Sequence, residues 1–235
     1  MKALLEWLYP AHAQCMGCQA MRLPAEGPPL CGECRLKLRK AALPKPFCAW
    51  CGYPTLGKAC TFCKEAKHIR YVTAPFTYRA PVGEMIRRFK YRGWGQALPF
   101  LVENMCRAWR QSNQPQPDIC LAVPMTALRR RIRGGNQAEM LCRQFCLAMD
   151  LPMAQPMSRI RQGVGSQARL SGAQRRRNIK GCFQVNDPET VKGKRILLVD
   201  DVVTTGATAD ECARMLLKAG AVEVRVLAAA ITLRA

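Results

Sequence analysis

Ile196-Leu197-Leu198-Val199-Asp200-Asp201-Val202-Val203-Thr204-Thr205-Gly206-Ala207-Thr208 is the stretch on which the reading of this chain turns. Arg195 to Val199 reads as a strand whose continuous apolar run, Ile196–Val199, is the pattern of burial on both faces of a parallel sheet. Two adjacent carboxylates stand at its carboxyl end. A Thr-Thr-Gly turn follows, and Ala207 to Lys218 reads as a helix closed by Gly220. In open α/β sheets ligands bind outside the carboxyl ends of strands. The free N–H groups of a helix amino terminus favour a phosphate, and threonine hydroxyls add donors. The carboxylates repel that phosphate, so they suit a sugar diol or a Mg²⁺ ion beside it. A ribose with its 5-phosphate in the turn satisfies both halves.

The rest of the carboxyl-terminal region supports an α/β fold. Tyr71–Tyr78 reads as a strand or extended segment, Pro81–Arg92 and Ala97–Gln111 as helices, and Asp118–Val123 as a strand ending at Pro124. Asn136–Asp150 is an amphipathic helix with Ala138, Leu141, Cys142, Phe145, Cys146 and Met149 on one stripe. Cys182–Val185 reads as a short strand and Val222–Ala230 as a final apolar one. Strands of unbroken apolar residues alternating with helices predict a parallel sheet.

The amino-terminal part has a different texture. Eight of the 14 cysteines form four C-x-x-C pairs: Cys15/Cys18, Cys31/Cys34, Cys48/Cys51 and Cys60/Cys63. Each pair lets a tight turn aim two thiolates at one ion, and two turns complete a closed Zn–S₄ shell. Two structural zinc ions per chain are expected, in a module (residues 1–67) too small to fold on apolar burial alone. Sequential pairing closes the shorter loops and so costs less entropy. A cross-brace, first pair with third and second with fourth, is the alternative. Leu36–Leu43 reads as a short basic helix between knuckles. Cys142 and Cys146 read as buried structural thiols.

The chain has 235 residues and a formal charge of +21. No stretch approaches the ~20 apolar residues of a membrane span, and a charge interrupts the apolar run at Met1–Trp7, so a cytoplasmic protein is expected. Residues 85–186 carry 18 Lys and Arg against four acids. With eight thiolates on two Zn²⁺ ions the net charge falls to about +17, and the surplus lies outside the zinc module. Such a surplus suits a polyanion, with single-stranded DNA or RNA held through salt-sensitive phosphate contacts. Tyr91 and Trp94 stand among Arg87, Arg88, Lys90 and Arg92, where they either stack on bases or pack half-buried.

The segment Ile196–Thr208 resembles the thirteen-residue phosphoribosyl-pyrophosphate (PRPP) motif of type I phosphoribosyltransferases. With the cysteine pairs in front of it, the chain is similar to the ComF/GntX family, in which a double zinc ribbon precedes a phosphoribosyltransferase-like parallel sheet with helices on both faces. Tyr78 with Ile86–Tyr91, Val123-Pro124 followed by Arg133–Gln137, and Gln167 with Arg177–Phe183 add to the likeness. Gly135 departs from it, standing where the family usually has an aromatic residue. The resemblance implies that residues 68–235 form the phosphoribosyltransferase-like domain. It further implies that Asp200 and Asp201 hold the ribose hydroxyls and that Thr204, Thr205, Gly206 and Thr208 cradle the 5-phosphate. Arg131 and Arg133, in the loop expected after Val123, would meet the pyrophosphate, with Mg²⁺ accompanying PRPP. Residues 159–180 resemble the mobile loop that closes over bound PRPP; a solvated basic helix is the plainer reading. Family members are associated with DNA uptake or use of external DNA, so uptake-machinery proteins are further expected partners. Two functions of different class fit: a phosphoribosyltransferase, or a nucleic-acid-binding factor that retains a PRPP pocket. No acceptor-binding carboxylate occupies the turn, because Thr204 stands there.

Overall fold

The computed structural model describes residues 14–20, 30–55, 57–91, 97–161 and 177–233. The amino-terminal segment, Trp94, and most of the basic stretch 159–180, including Gly163, Gly165, Gln167 and Arg175, lie outside the described residues.

The first zinc knuckle is a tight turn in which the Gln19 N–H donates to Cys15 O. Helix α1 (Gly32–Lys40) follows, earlier than the sequence suggested, because Cys31 is its N-cap and its sulfur accepts the Cys34 N–H. Glu33 in the first turn and Lys37, Arg39 and Lys40 in the last turn match the helix dipole. The third knuckle, Cys48/Cys51, closes with the Gly52 N–H donating to Cys48 O, and a short helix α2 (Phe62–Glu65) follows it. Gly52 has φ +71°, and a side chain there would meet the Tyr71 ring.

Strand β1 (Tyr71–Thr73) and strand β2 (Phe76–Thr77) are one edge strand interrupted at Ala74-Pro75. Helices α3 (Val82–Tyr91) and α4 (Ala97–Gln111) lead to strand β3 (Ile119–Ala122). Helix α5 (Ala127–Arg133) and helix α6 (Gln137–Met149) precede a hairpin of β4 (Met157–Arg159) and β5 (Phe183–Val185). Strand β6 (Arg195–Val203), helix α7 (Ala207–Lys218) and strand β7 (Glu223–Ile231) complete the chain.

The main sheet runs β1-β7-β6-β3, with β2 extending the β1 edge along β7, and every pairing is parallel. Ile196 to Val199 are at most 1% exposed, as a central strand covered on both faces requires. Helices α4 and α6 pack on each other and on the sheet; α7 packs against β6 and β7 together with β5. The type I phosphoribosyltransferase-like arrangement is thus present, with the cysteine module docked on its β1 edge through Val72 N–H to Cys51 O and Thr77 N–H to Ala41 O.

Two local features differ from the sequence reading. Strand β6 does not stop at Val199, because its ladder with β7 continues to Val203 opposite Ile231. The arginines after Val123 lie on a helix, not a loop. Thr126 caps α5 by accepting the Arg129 N–H, and Gly134, at φ +70°, ends it.

Candidate functional site

Strand β6 carries Asp200 and Asp201 to the rim of a cavity of about 290 Å³. Thr204 and Thr208 line the same cavity, so the carboxylate pair and two residues of the turn face one space. Between them Gly206 is the N-cap of α7 at φ +76°, and its carbonyl accepts the Asp210 N–H at 2.7 Å. Thr205 and Gly206 are absent from the lining, and the Thr205 hydroxyl accepts the Ala207 N–H. The first amides of a helix have no backbone partner within the helix; here the Ala207 N–H is taken by Thr205, and Thr208 of the first turn lines the cavity. Strand end, turn and helix amino terminus therefore offer acceptors and anion-binding donors side by side.

The cavity wall is cationic. Lys90 from α3, Arg129 and Arg133 from α5, and Arg159 from β4 all reach it. Arg131, placed by resemblance at the pyrophosphate, is exposed and absent from the lining, while Arg129, two residues earlier and so on another face of the helix, takes a place in it. Lys90 Nζ pairs with Asp201 Oδ2 at 2.7 Å, both side chains largely buried. The Asp201 N–H donates to Asp200 Oδ1 at 2.8 Å. Loss of water around Asp200, reinforced by the charge of Asp201, pushes the Asp200 carboxyl up to about 7, against the pull of Lys90. Burial, and then the neighbouring Arg129, lower the Arg159 pKa. Arg159 Nη2 is buried with no hydrogen-bond partner among the described residues. A buried guanidinium nitrogen without a partner is costly unless a ligand supplies one.

Sequence reasoning did not assign roles to Lys90, Arg129 and Arg159. Lys90 had a signal, standing about one helical turn after the buried Ile86 and next to the buried Phe89. Arg159 had none, because only the β4–β5 pairing aims it inward.

Lys90→Met removes the cation paired with Asp201 and leaves the two carboxylates side by side without it. The expected result is a loss of about 3 kcal/mol of stability at pH 8, as for breaking a buried ion pair. Asp200 should then hold its proton to a still higher pH, which a carboxyl ¹³C titration by NMR would read. An unchanged titration would mean that Lys90 does not govern the pair.

The eight paired cysteines form two groups. Cys15, Cys18, Cys31 and Cys34 make one, and Cys48, Cys51, Cys60 and Cys63 the other, with all four sulfurs of each within 4.8 Å of one another. Pairing is therefore sequential, as loop closure favoured. The Cys18–Cys31, Cys48–Cys63 and Cys51–Cys60 sulfurs are 3.8, 3.9 and 3.6 Å apart. A tetrahedron with Zn–S bonds of ~2.3 Å has edges of ~3.8 Å, so the groups fit structural zinc. Burial raises the Cys15 thiol, but the N–H groups of Cys31, Cys18 and Gly17 outweigh it and bring it to about 7. In the second group Cys48 is likewise brought to about 7, by the amides of Cys51 and Trp50 against burial. Burial and neighbouring sulfurs push Cys34 and Cys51 far upward. Four clustered thiolates thus need a cation.

No helix among the described residues is long and apolar enough to cross a membrane. The phosphoribosyl transferase domain family matches residues 123–232. DNA utilization protein YhgH of Salmonella typhi is 30% identical over 203 residues, covering 84% of this chain and 88% of that protein. Competence protein F of Haemophilus influenzae is 28% identical over 84% of this chain and 88% of its own length. Competence protein ComFC of Bacillus subtilis is 27% identical over 81% of this chain and 79% of its own. At 203 matched residues the likeness extends beyond the sheet into the cysteine module, and with two Cys₄ groups in place, the chain belongs to the ComF/GntX family of phosphoribosyltransferase-like proteins.

Proposed function

We propose that the protein binds PRPP, or a related ribose 5-phosphate ligand, and acts in DNA uptake or utilisation while contacting single-stranded nucleic acid. One observation carries the ligand: a carboxylate pair, Thr204 of the turn and Thr208 of the following helix share a cavity of about 290 Å³ whose wall holds four cations. Asp200 and Asp201 accept the ribose hydroxyls. The turn 204–208 donates to the 5-phosphate through backbone N–H groups and threonine hydroxyls. Arg129, Arg133 and Arg159 meet the pyrophosphate, and the unpartnered Arg159 nitrogen gains an acceptor. The donors on offer to Mg²⁺ are hard carboxylate oxygens, which fit it; the ion supplies charge neutralisation on the pyrophosphate. The names of the relatives support the DNA role, and the exposed arginines of α5 support phosphate contacts to a strand.

A second reading, that of an active phosphoribosyltransferase, draws on the same cationic wall. A nucleophile would form a bond to C1 of the ribose as the C1–O bond breaks. Pyrophosphate would leave with both electrons toward the arginines. The acceptor is the open part of this reading, since Asp200 and Asp201 are the acidic side chains lining the cavity and both are committed to the sugar.

Calorimetric titration with Mg-PRPP, with and without a single-stranded oligonucleotide, tests the proposal. One PRPP per chain with Kd on the order of micromolar is expected, together with oligonucleotide binding that weakens steeply with salt. Absence of PRPP binding would overturn the pocket assignment. Pyrophosphate release in the presence of candidate acceptors separates enzyme from binder.

A further inference from the structure

The phosphate turn is backed by the second cysteine group. Phe62 lies between Cys60 and Cys63 and is fully buried. A Cβ placed on Gly206 would come within 2.8 Å of the Phe62 ring and 3.4 Å of Ala66 Cβ. Gly206 is therefore pressed flat against this aromatic wall. The Phe62 ring stacks on Tyr53 with centroids 4.7 Å apart and planes at 7°. The Tyr53 hydroxyl donates to Thr232 O at 2.7 Å, and the Thr232 N–H donates to Val203 O, the last residue before the turn. Beyond the turn, the His68 N–H donates to Asp210 Oδ1 at 2.7 Å in the first turn of α7. Entrance, middle and exit of the turn are each tied to the segment 53–68.

We propose that Phe62 is a positioning residue for the phosphate turn, and that metal in the Cys48/Cys51/Cys60/Cys63 group sets ribose 5-phosphate affinity by fixing that ring. This rests on reading the turn as a phosphate site. A phosphate cradle works only when its N–H groups converge on one point, and a displacement of about 1 Å can cost on the order of 10²-fold. Because two metal ligands flank Phe62, the ring has little freedom while the shell is closed. With the shell open, α2 has four residues and no side-chain cap to hold it. The arginines opposite do not depend on this support, since they come from α5 and β4. The two ends of the ligand should therefore respond differently.

The test uses the full-length chain and three variants: Phe62→Ala, Phe62→Leu and Tyr53→Phe. Zinc content is measured first, then amide hydrogen exchange across residues 203–210, then binding of ribose 5-phosphate and of Mg-pyrophosphate as separate probes. Phe62→Ala should keep two zinc ions, speed exchange in the turn at least about tenfold, and weaken ribose 5-phosphate by tenfold to a hundredfold. Mg-pyrophosphate affinity should stay within about twofold, and Phe62→Leu should recover most of the loss. Tyr53→Phe, which removes only the hydroxyl, keeps the bracing falsifiable if the alanine variant folds poorly; a loss of about twofold to fivefold for ribose 5-phosphate alone is expected. Unchanged exchange and affinity in Phe62→Ala, or equal losses for both probes, would overturn the proposal. If the wild type binds neither probe, the pocket assignment fails, and the exchange arm still decides whether Phe62 braces the turn.

Discussion

Cys51→Ser should give a chain that holds one zinc ion instead of two and melts at least about 10 °C below the wild type. Cys51 is fully buried, its sulfur 3.6 Å from that of Cys60. A serine hydroxyl is a far poorer zinc ligand than a thiolate. Binding a structural zinc is worth about 10–16 kcal/mol at neutral pH, and much of that is folding free energy. Losing about 5 kcal/mol of it, at ~2–4 °C per kcal/mol for a chain this size, lowers the melting point by about 10–20 °C. The effect should spread beyond the ribbon, because Cys51 O accepts the Val72 N–H and so holds the β1 edge of the sheet. Cys106→Ala makes the contrast: that thiol is also buried, in α4, yet belongs to neither group. It should cost no more than about 1–2 kcal/mol and leave two zinc ions bound. Metal analysis with thermal melts reads both variants. A Cys51→Ser protein that retained two zinc ions and its melting point would rule out this ligand assignment.

The sequence made some of this legible and concealed the rest for identifiable reasons. Ile196–Val199 announces itself because a strand covered on both faces has no polar positions, and Ala97–Gln111 because its apolar residues keep helical spacing. Sequential zinc pairing was favoured by chain entropy with the cross-brace left open, and the sulfur positions decide it. Asp200, Asp201, Thr204 and Thr208 were legible as one constellation because their chemistry is local: consecutive residues on a strand, a turn and a helix start. The continuation of β6 to Val203 was hidden, since the apolar pattern breaks at Asp200 while the ladder with β7 does not. Helix α5 was hidden because its Leu128 and Ile132 are 61% and 73% exposed, leaving no buried stripe to read. Lys90, Arg159 and Phe62 reach the site by tertiary packing, and no spacing rule links them to residues 200–208.

Asp200→Asn separates what the site costs the fold from what it does for the ligand. The Asp200 carboxyl is pushed up to about 7, first by loss of water and then by Asp201. Its value in the unfolded chain is the ordinary one, 3.8. Between those two values the folded state holds the extra proton, so this group makes stability fall as pH rises from about 4 to 7. Above pH 7 the penalty is present in full; below pH 4 it is absent. Asparagine cannot ionise, so the variant should melt higher than the wild type at pH 8, by more than about 3 °C, and the advantage should fade to nothing as pH falls toward 4. PRPP affinity should move the other way. An ionised carboxylate accepting two hydroxyl protons makes hydrogen bonds worth about 1.5–3 kcal/mol each, so the variant should lose on the order of 10²-fold or more at pH 8. Wild-type affinity should itself climb as pH rises through 7, when Asp200 ionises. The variant's own pH profile supplies the correction for titration of the ligand's phosphates. A variant more stable at pH 8 and unable to bind PRPP marks a carboxylate kept against the interest of the fold, as residues retained for binding are. A variant less stable than the wild type at pH 8, or one that binds PRPP as well, would show that Asp200 serves the sheet and not the sugar.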